Sequence, residues 1–151
     1  AASSRGSISG EFMPLFARAT LLSAIATALA VLITLWTAIL VARTRRRVGI
    51  QPPAMTGSPE LECAVRVQAN TVEQFVIFLP ALWLAALYFQ GRIPGILGLV
   101  WCLGRIIYAL TYKPANPGRR FGGFALTVFP TIILVILAII GIVNAWMVAT
   151  A

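Results

Sequence analysis

Along the chain, apolar residues fall into four long blocks separated by short breaks rich in polar residues, proline and glycine. The first block runs from about Phe16 to Val41 and ends in the basic run Arg43-Thr44-Arg45-Arg46-Arg47. A bilayer crossing takes about 20 apolar residues, and this block exceeds that. The break after it carries Pro52, Pro53, Gly57 and Pro59, which disfavour helix. The second block spans about Glu60 to Tyr88 and holds Pro80. A bend is expected there, since membrane helices accept proline when neighbours cover the freed carbonyl. Gln90-Gly91-Arg92 is so short a turn that the second and third blocks must form an antiparallel hairpin. The third block opens at Pro94, a favourable first-turn residue, and reaches about Tyr112. A second break, Lys113-Pro114-Ala115-Asn116-Pro117-Gly118-Arg119-Arg120, leads to the fourth block, about Phe124 to Val148. That block is almost wholly apolar and reads as a packing or lipid-facing helix. The pattern predicts an all-α integral membrane protein, a bundle of four transmembrane helices in one domain over residues 13–151.

Composition agrees. The chain is 60% hydrophobic and only 11% charged, where a soluble domain carries about 25% charged residues. Residues 1–12, AASSRGSISGEF, are small and polar, precede Met13, and read as an expression leader. Histidine and aspartate do not occur, which removes a Ser-His-Asp triad, a histidine metal site and an Asp-x-Asp magnesium site. Cys63 and Cys102 fit no metal or redox spacing and read as packing residues. No metal is expected. The net charge of +8 sits mainly at helix ends, which argues for topology and anionic head groups rather than nucleic acid. The first and third connections share Arg43, Arg45, Arg46, Arg47, Lys113, Arg119 and Arg120, while the opposite side holds Arg92 and, near it, Arg18. The positive-inside rule then sets the basic loops in the cytoplasm and the termini outside.

Two polar stripes interrupt the apolar pattern. Helical neighbours lie three and four residues apart. Glu62, Arg66, Asn70 and Glu73 follow that spacing at the start of the second span, with Gln68 off the stripe. Arg105, Tyr108 and Tyr112 follow it at the end of the third. Both stripes lie at the same end of the bundle, below the loop arginines. Charges here are costly, about 2.5–3.5 kcal/mol each at a helix centre on insertion scales, so they need partners or a ligand. Arginine forks suit carboxylates, Glu73 suits an ammonium, and Asn70 and the tyrosine hydroxyls suit amides. A small zwitterion with excess negative charge would match. Glutathione is one such ligand among several, and a nearby guanidinium would favour its thiolate. Ion pairing within the second span, interfacial tyrosines and lipid-phosphate contacts are the plainer readings of the same residues.

The segment Arg66-Val-Gln68-Ala-Asn70-Thr-Val-Glu73 resembles the Arg-x-Gln-x-Asn-x-x-Glu signature of the MAPEG superfamily, the membrane-associated proteins of eicosanoid and glutathione metabolism. The resemblance extends over nearly the whole chain from Met13 and includes Gly104-Arg105-Ile-Ile-Tyr108-x-x-x-Tyr112. It implies a homotrimer of four-helix subunits with three glutathione sites at the subunit boundaries, near the cytoplasmic side. It further implies that Arg66, Asn70, Glu73, Tyr108 and Tyr112 hold glutathione, with Arg45, Gln68 and Arg105 in or beside the site. The thiol-activating arginine of the family follows the second tyrosine by seven positions, which is Arg119; Arg120 is adjacent. A second arginine, acting on the lipid substrate, matches Arg46. Gln74 stands where several members have tyrosine, which argues against leukotriene synthesis and brings the chain nearer the microsomal glutathione transferase branch. The short loops suit a bacterial member, and so a bacterial inner membrane. The expected activity is conjugation of glutathione, a co-substrate, to a hydrophobic electrophile from the bilayer, with reduction of lipid hydroperoxides as a second activity. The rivals are a non-catalytic lipid-binding scaffold of the same superfamily and a four-span proton-driven drug exporter.

Overall fold

A computed structural model describes the backbone of residues 5–89 and 91–151 and the side chains of residues 20–89, 91–116 and 118–151. The leader expected at residues 1–12, and Arg18, fall outside the described side chains. The described chain holds α1 (Arg5–Val48), α2 (Pro59–Leu84), a π-helical turn (Ala85–Phe89), α3 (Ile93–Thr111), a 3₁₀ turn (Pro117–Arg119) and α4 (Arg120–Thr150). No strand occurs among the described residues. Four segments are long and apolar enough to cross a membrane: Thr20–Val48, Pro59–Phe89, Ile93–Thr111 and Arg120–Thr150.

Two helices run further than hydropathy suggests. α1 continues through Arg45, Arg46 and Arg47 to Val48. Arginine is a good helix former, and cations in the last turn complement the helix dipole. Gly49 follows at φ +72°, the left-handed conformation that commonly ends a helix. α4 starts at Arg120, four residues before the expected Phe124, because the 3₁₀ turn runs into it without a break. The connection between α1 and α2 is tied down by three contacts. Arg45 Nη1 donates to the Ala54 carbonyl, Arg47 Nη2 pairs with Glu60 Oε2 at 2.7 Å, and the Gly57 amide donates to Glu62 Oε1 at 3.3 Å.

α1 and α4 each pack against both α2 and α3. The centre is built from Ala26, Ala30 and Ile33 of α1, Phe78, Ala81 and Leu82 of α2, Trp101 and Cys102 of α3, and Leu134 and Ala138 of α4. Phe78 and Trp101 stack with ring centroids 4.1 Å apart and planes 8° from parallel. Trp83 Nε1 donates to Thr27 Oγ1 at 3.1 Å, joining α2 to α1. Cys102, buried as a packing residue, donates from Sγ to the Ala26 carbonyl at 3.4 Å, joining α3 to α1. Small residues let membrane helices approach closely. A Cβ added at Gly104 would lie 2.8 Å from the Leu126 backbone, and one at Gly123 would overlap the Tyr108 backbone. These two glycines set α4 directly against the end of α3 that carries Arg105 and Tyr108. The outer surface is apolar over most of its length, with residues such as Leu32, Val76, Ile96 and Phe129 exposed.

Candidate functional site

The first turns of α2, the last turns of α3 and the start of α4 converge at one end of the bundle. Between them lies a cavity of about 520 Å³ lined by Arg66, Asn70, Tyr108, Gly118, Arg120, Phe121 and Phe124. This is within the usual range for small-molecule sites, about 300–1,000 Å³. Helical periodicity accounts for the lining. Arg66 and Asn70 are four apart on α2, and Arg120 and Phe124 are four apart on α4, with Phe121 beside them. The lining is chemically mixed: two guanidiniums, an amide and a phenol together with two phenylalanine rings. Phe121 is 73% exposed, so the apolar lip faces outward.

A hydrogen-bonded chain backs the polar wall. Arg66 Nη1 lies 3.9 Å from Glu73 Oε1, with both side chains more than half exposed. Asn70 Nδ2 donates to Glu73 Oε2 at 3.3 Å. Arg105 is completely buried. Its Nη1 donates to Asn70 Oδ1 at 3.1 Å and its Nη2 to Thr71 Oγ1 at 2.7 Å. The Thr71 hydroxyl in turn donates to the Val67 carbonyl at 2.7 Å. Two neighbouring tyrosines also lie between two arginines. The Arg105 guanidinium carbon sits 4.5 Å from the Tyr108 ring centre, Tyr108 and Tyr112 lie 5.7 Å apart, and the Arg120 guanidinium carbon sits 4.6 Å from the Tyr112 ring centre. The two guanidinium distances are within the ~6 Å of cation–π attraction.

The two stripes read from the sequence therefore meet, with Arg66, Asn70 and Tyr108 on the cavity wall and Glu73, Arg105 and Tyr112 next to them. Four other expected residues are not on this wall. Gln68 is half-buried elsewhere on α2. Arg45 is engaged with the loop carbonyl of Ala54. Arg46 is exposed on the last turn of α1. Arg119 is exposed in the 3₁₀ turn, and the neighbouring Arg120 lines the cavity instead. Glu62 binds the Gly57 amide rather than pairing with Arg66. The apolar pattern does not single out Phe121 and Phe124, because Phe121 lies between the break and the fourth span and Phe124 opens a span read as a packing or lipid-facing helix. Their signal was the spacing of Arg120, Phe121 and Phe124, visible only once the helix is started at Arg120. Among the described residues no group of three or more histidine, cysteine or acidic side chains is placed to hold a metal ion.

The arrangement presents a cation-rich polar pocket open to an apolar lip, suited to an anionic polar ligand and an apolar one side by side. The family described as MAPEG family matches residues 23–140. An uncharacterized protein of Synechocystis sp. is 47% identical over 119 residues, 79% of this chain and 86% of that one. Human microsomal glutathione S-transferase 2 is 38% identical over 110 residues, 73% of this chain and 74% of its own. Guinea-pig (Cavia porcellus) leukotriene C4 synthase is 38% identical over 91 residues, 60% of this chain and 61% of its own. The match spans all four apolar helices, and this chain belongs to the MAPEG family of integral, multi-pass membrane proteins.

Proposed function

We propose that the protein is a membrane-bound glutathione transferase that joins glutathione to hydrophobic electrophiles. The observation that carries this reading is the mixed lining of the cavity, where Arg66, Asn70, Tyr108 and Arg120 share one space with Phe121 and Phe124. Two carboxylates, an ammonium and two amides need guanidinium forks, a carboxylate and amide or hydroxyl partners. Arg66, Glu73, Asn70, Tyr108 and Tyr112 supply that set. The apolar lip admits a co-substrate dissolved in lipid.

In this reading the thiol loses its proton to solvent and the thiolate is held by a guanidinium. The sulfur then forms a bond to the electrophilic carbon, and the leaving group departs with its electron pair. Sequence spacing points to Arg119 for the guanidinium. The cavity favours Arg120, which lines it and rests on Tyr112. We assign the role to Arg120. Arg45 and Arg46 join the site from a neighbouring subunit of a homotrimer, which accounts for their distance from the cavity within one chain. The basic end faces the cytoplasm.

The test is conjugation of a small chloronitroarene together with stopped-flow ultraviolet absorbance of the thiolate on mixing with glutathione. Arg120→Ala is expected to lose both by at least about tenfold, the effect of removing roughly 1.4 kcal/mol of charge stabilisation. Arg119→Ala is expected to retain most of each. The reverse pattern would return the role to Arg119. No thiolate signal in the unaltered protein would favour a lipid-binding scaffold.

A further inference from the structure

Arg105 is the one charged residue fully buried among the described residues, and no carboxylate lies within ion-pair distance of it. Replacing a buried charge by an apolar residue of similar size is often neutral or stabilising. Packing alone therefore gives no reason for a guanidinium here. Its distinctive property is that it only donates, and from two nitrogens at once. Nη1 and Nη2 are spent on Asn70 Oδ1 and Thr71 Oγ1. Because arginine has no acceptor, the Asn70 amide must turn its oxygen inward. Its nitrogen then points the other way, with one hydrogen on Glu73 Oε2 and the second left for the cavity that Asn70 lines.

We infer that Arg105 is a positioning residue that locks the Asn70 amide as a donor toward the cavity, so that the ligand atom meeting Asn70 must be a carbonyl or carboxylate oxygen and not an N–H group. This rests on the proposed binding of glutathione and specifies which of its groups Asn70 selects. Without the lock only the 3.3 Å bond to Glu73, itself more than half exposed, keeps the amide from turning over and offering its oxygen, which a ligand oxygen rejects. Thr71 fixes the guanidinium from its far side, and the Tyr108 ring covers its face.

Three full-length variants in detergent test the inference, with kcat and KM for glutathione measured against a chloronitroarene and binding followed by calorimetry. Arg105→Met keeps the volume and removes the lock. It is expected to fold, to raise KM and Kd for glutathione about tenfold, the scale of one lost hydrogen bond to a charged group, and to change kcat by less than about threefold. Arg105→Lys, which still donates to Asn70 Oδ1, is expected to recover most of the affinity. Asn70→Asp keeps an acceptor for Arg105 and removes the donor, so KM should rise by a similar factor. An unchanged KM in Arg105→Met, or in Asn70→Asp should Arg105→Met not fold, overturns the inference, as does a lysine variant no better than methionine. Absence of glutathione binding by the unaltered protein overturns the proposed function, and this inference with it. Binding that survives in Arg105→Met at full strength overturns the inference alone.

Discussion

Arg119 and Arg120 are neighbours in sequence with different surroundings. Both are exposed, but Arg120 has the Tyr112 ring beneath it and lines the cavity, while Arg119 closes the 3₁₀ turn. An unsupported arginine at a cavity mouth samples many rotamers, and holding it still costs side-chain entropy of up to about 2 kcal/mol. The Tyr112 ring offsets part of this by about 0.5–1 kcal/mol of cation–π attraction at an accessible site. If that support places Arg120 for the sulfur, Tyr112→Leu should lower the glutathione thiolate amplitude roughly two- to fivefold, the equivalent of that energy. Tyr112→Phe keeps the ring and should stay near the unaltered level. Equal loss in both variants would assign the effect to the hydroxyl instead. The stripes Arg66–Asn70–Glu73 and Arg105–Tyr108–Tyr112 were legible in the sequence because each lies in or at the end of a helix, where spacing fixes the face. The choice between Arg119 and Arg120 was not, because in a break holding Pro114, Pro117 and Gly118 spacing fixes no direction.

At the scale of elements, the four spans were legible because each must supply an apolar length set by the bilayer. Their ends were not. Hydropathy starts α4 at Phe124, since Arg120, Phe121, Gly122 and Gly123 make a weak helical opening with two glycines that cost about 0.5–1 kcal/mol each relative to alanine. Tertiary contact overrides that preference at Gly123, whose missing side chain lets α4 meet the Tyr108 backbone. The same contact carries Arg120 and Phe121 to the cavity. Gly122, one residue earlier, has open space where a Cβ would go. The pair makes a controlled comparison. Gly123→Ala forces α3 and α4 apart, an overpacking cost of about 1–3 kcal/mol. It should lower the thermal midpoint in detergent by about 2–4 °C per kcal/mol and weaken glutathione binding as the cavity opens. Gly122→Ala should raise the midpoint by a degree or more through helix propensity alone, with binding intact. Similar behaviour of the two variants, at one scan rate, would show that the α3–α4 approach does not shape the site.

For the whole molecule, the proposed homotrimer turns on where α1 ends. The cavity is built from α2, α3 and α4, while Arg45 and Arg46 sit at the end of α1, one bound to its own loop and the other free in solvent. The apolar flanks of the helices must meet lipid or another copy. A closed ring of three chains, each lending the end of α1 to its neighbour's cavity, satisfies both facts. In such a ring every interface is heterologous, so two lesions on different chains can complement each other. Arg46→Ala and Arg120→Ala chains, each weak as a pure assembly, are therefore predicted to regain activity when co-expressed. With random mixing, a site draws an intact Arg46 from one chain and an intact Arg120 from its neighbour in about one quarter of cases, so activity should approach about a quarter of the unaltered level. A site formed within one chain gives no recovery at any ratio, because every cavity then carries one of the two lesions. The dependence on mixing ratio is as informative as the yield: recovery should peak at equal amounts and fall toward either pure form, a profile that partial activity of a single variant does not reproduce.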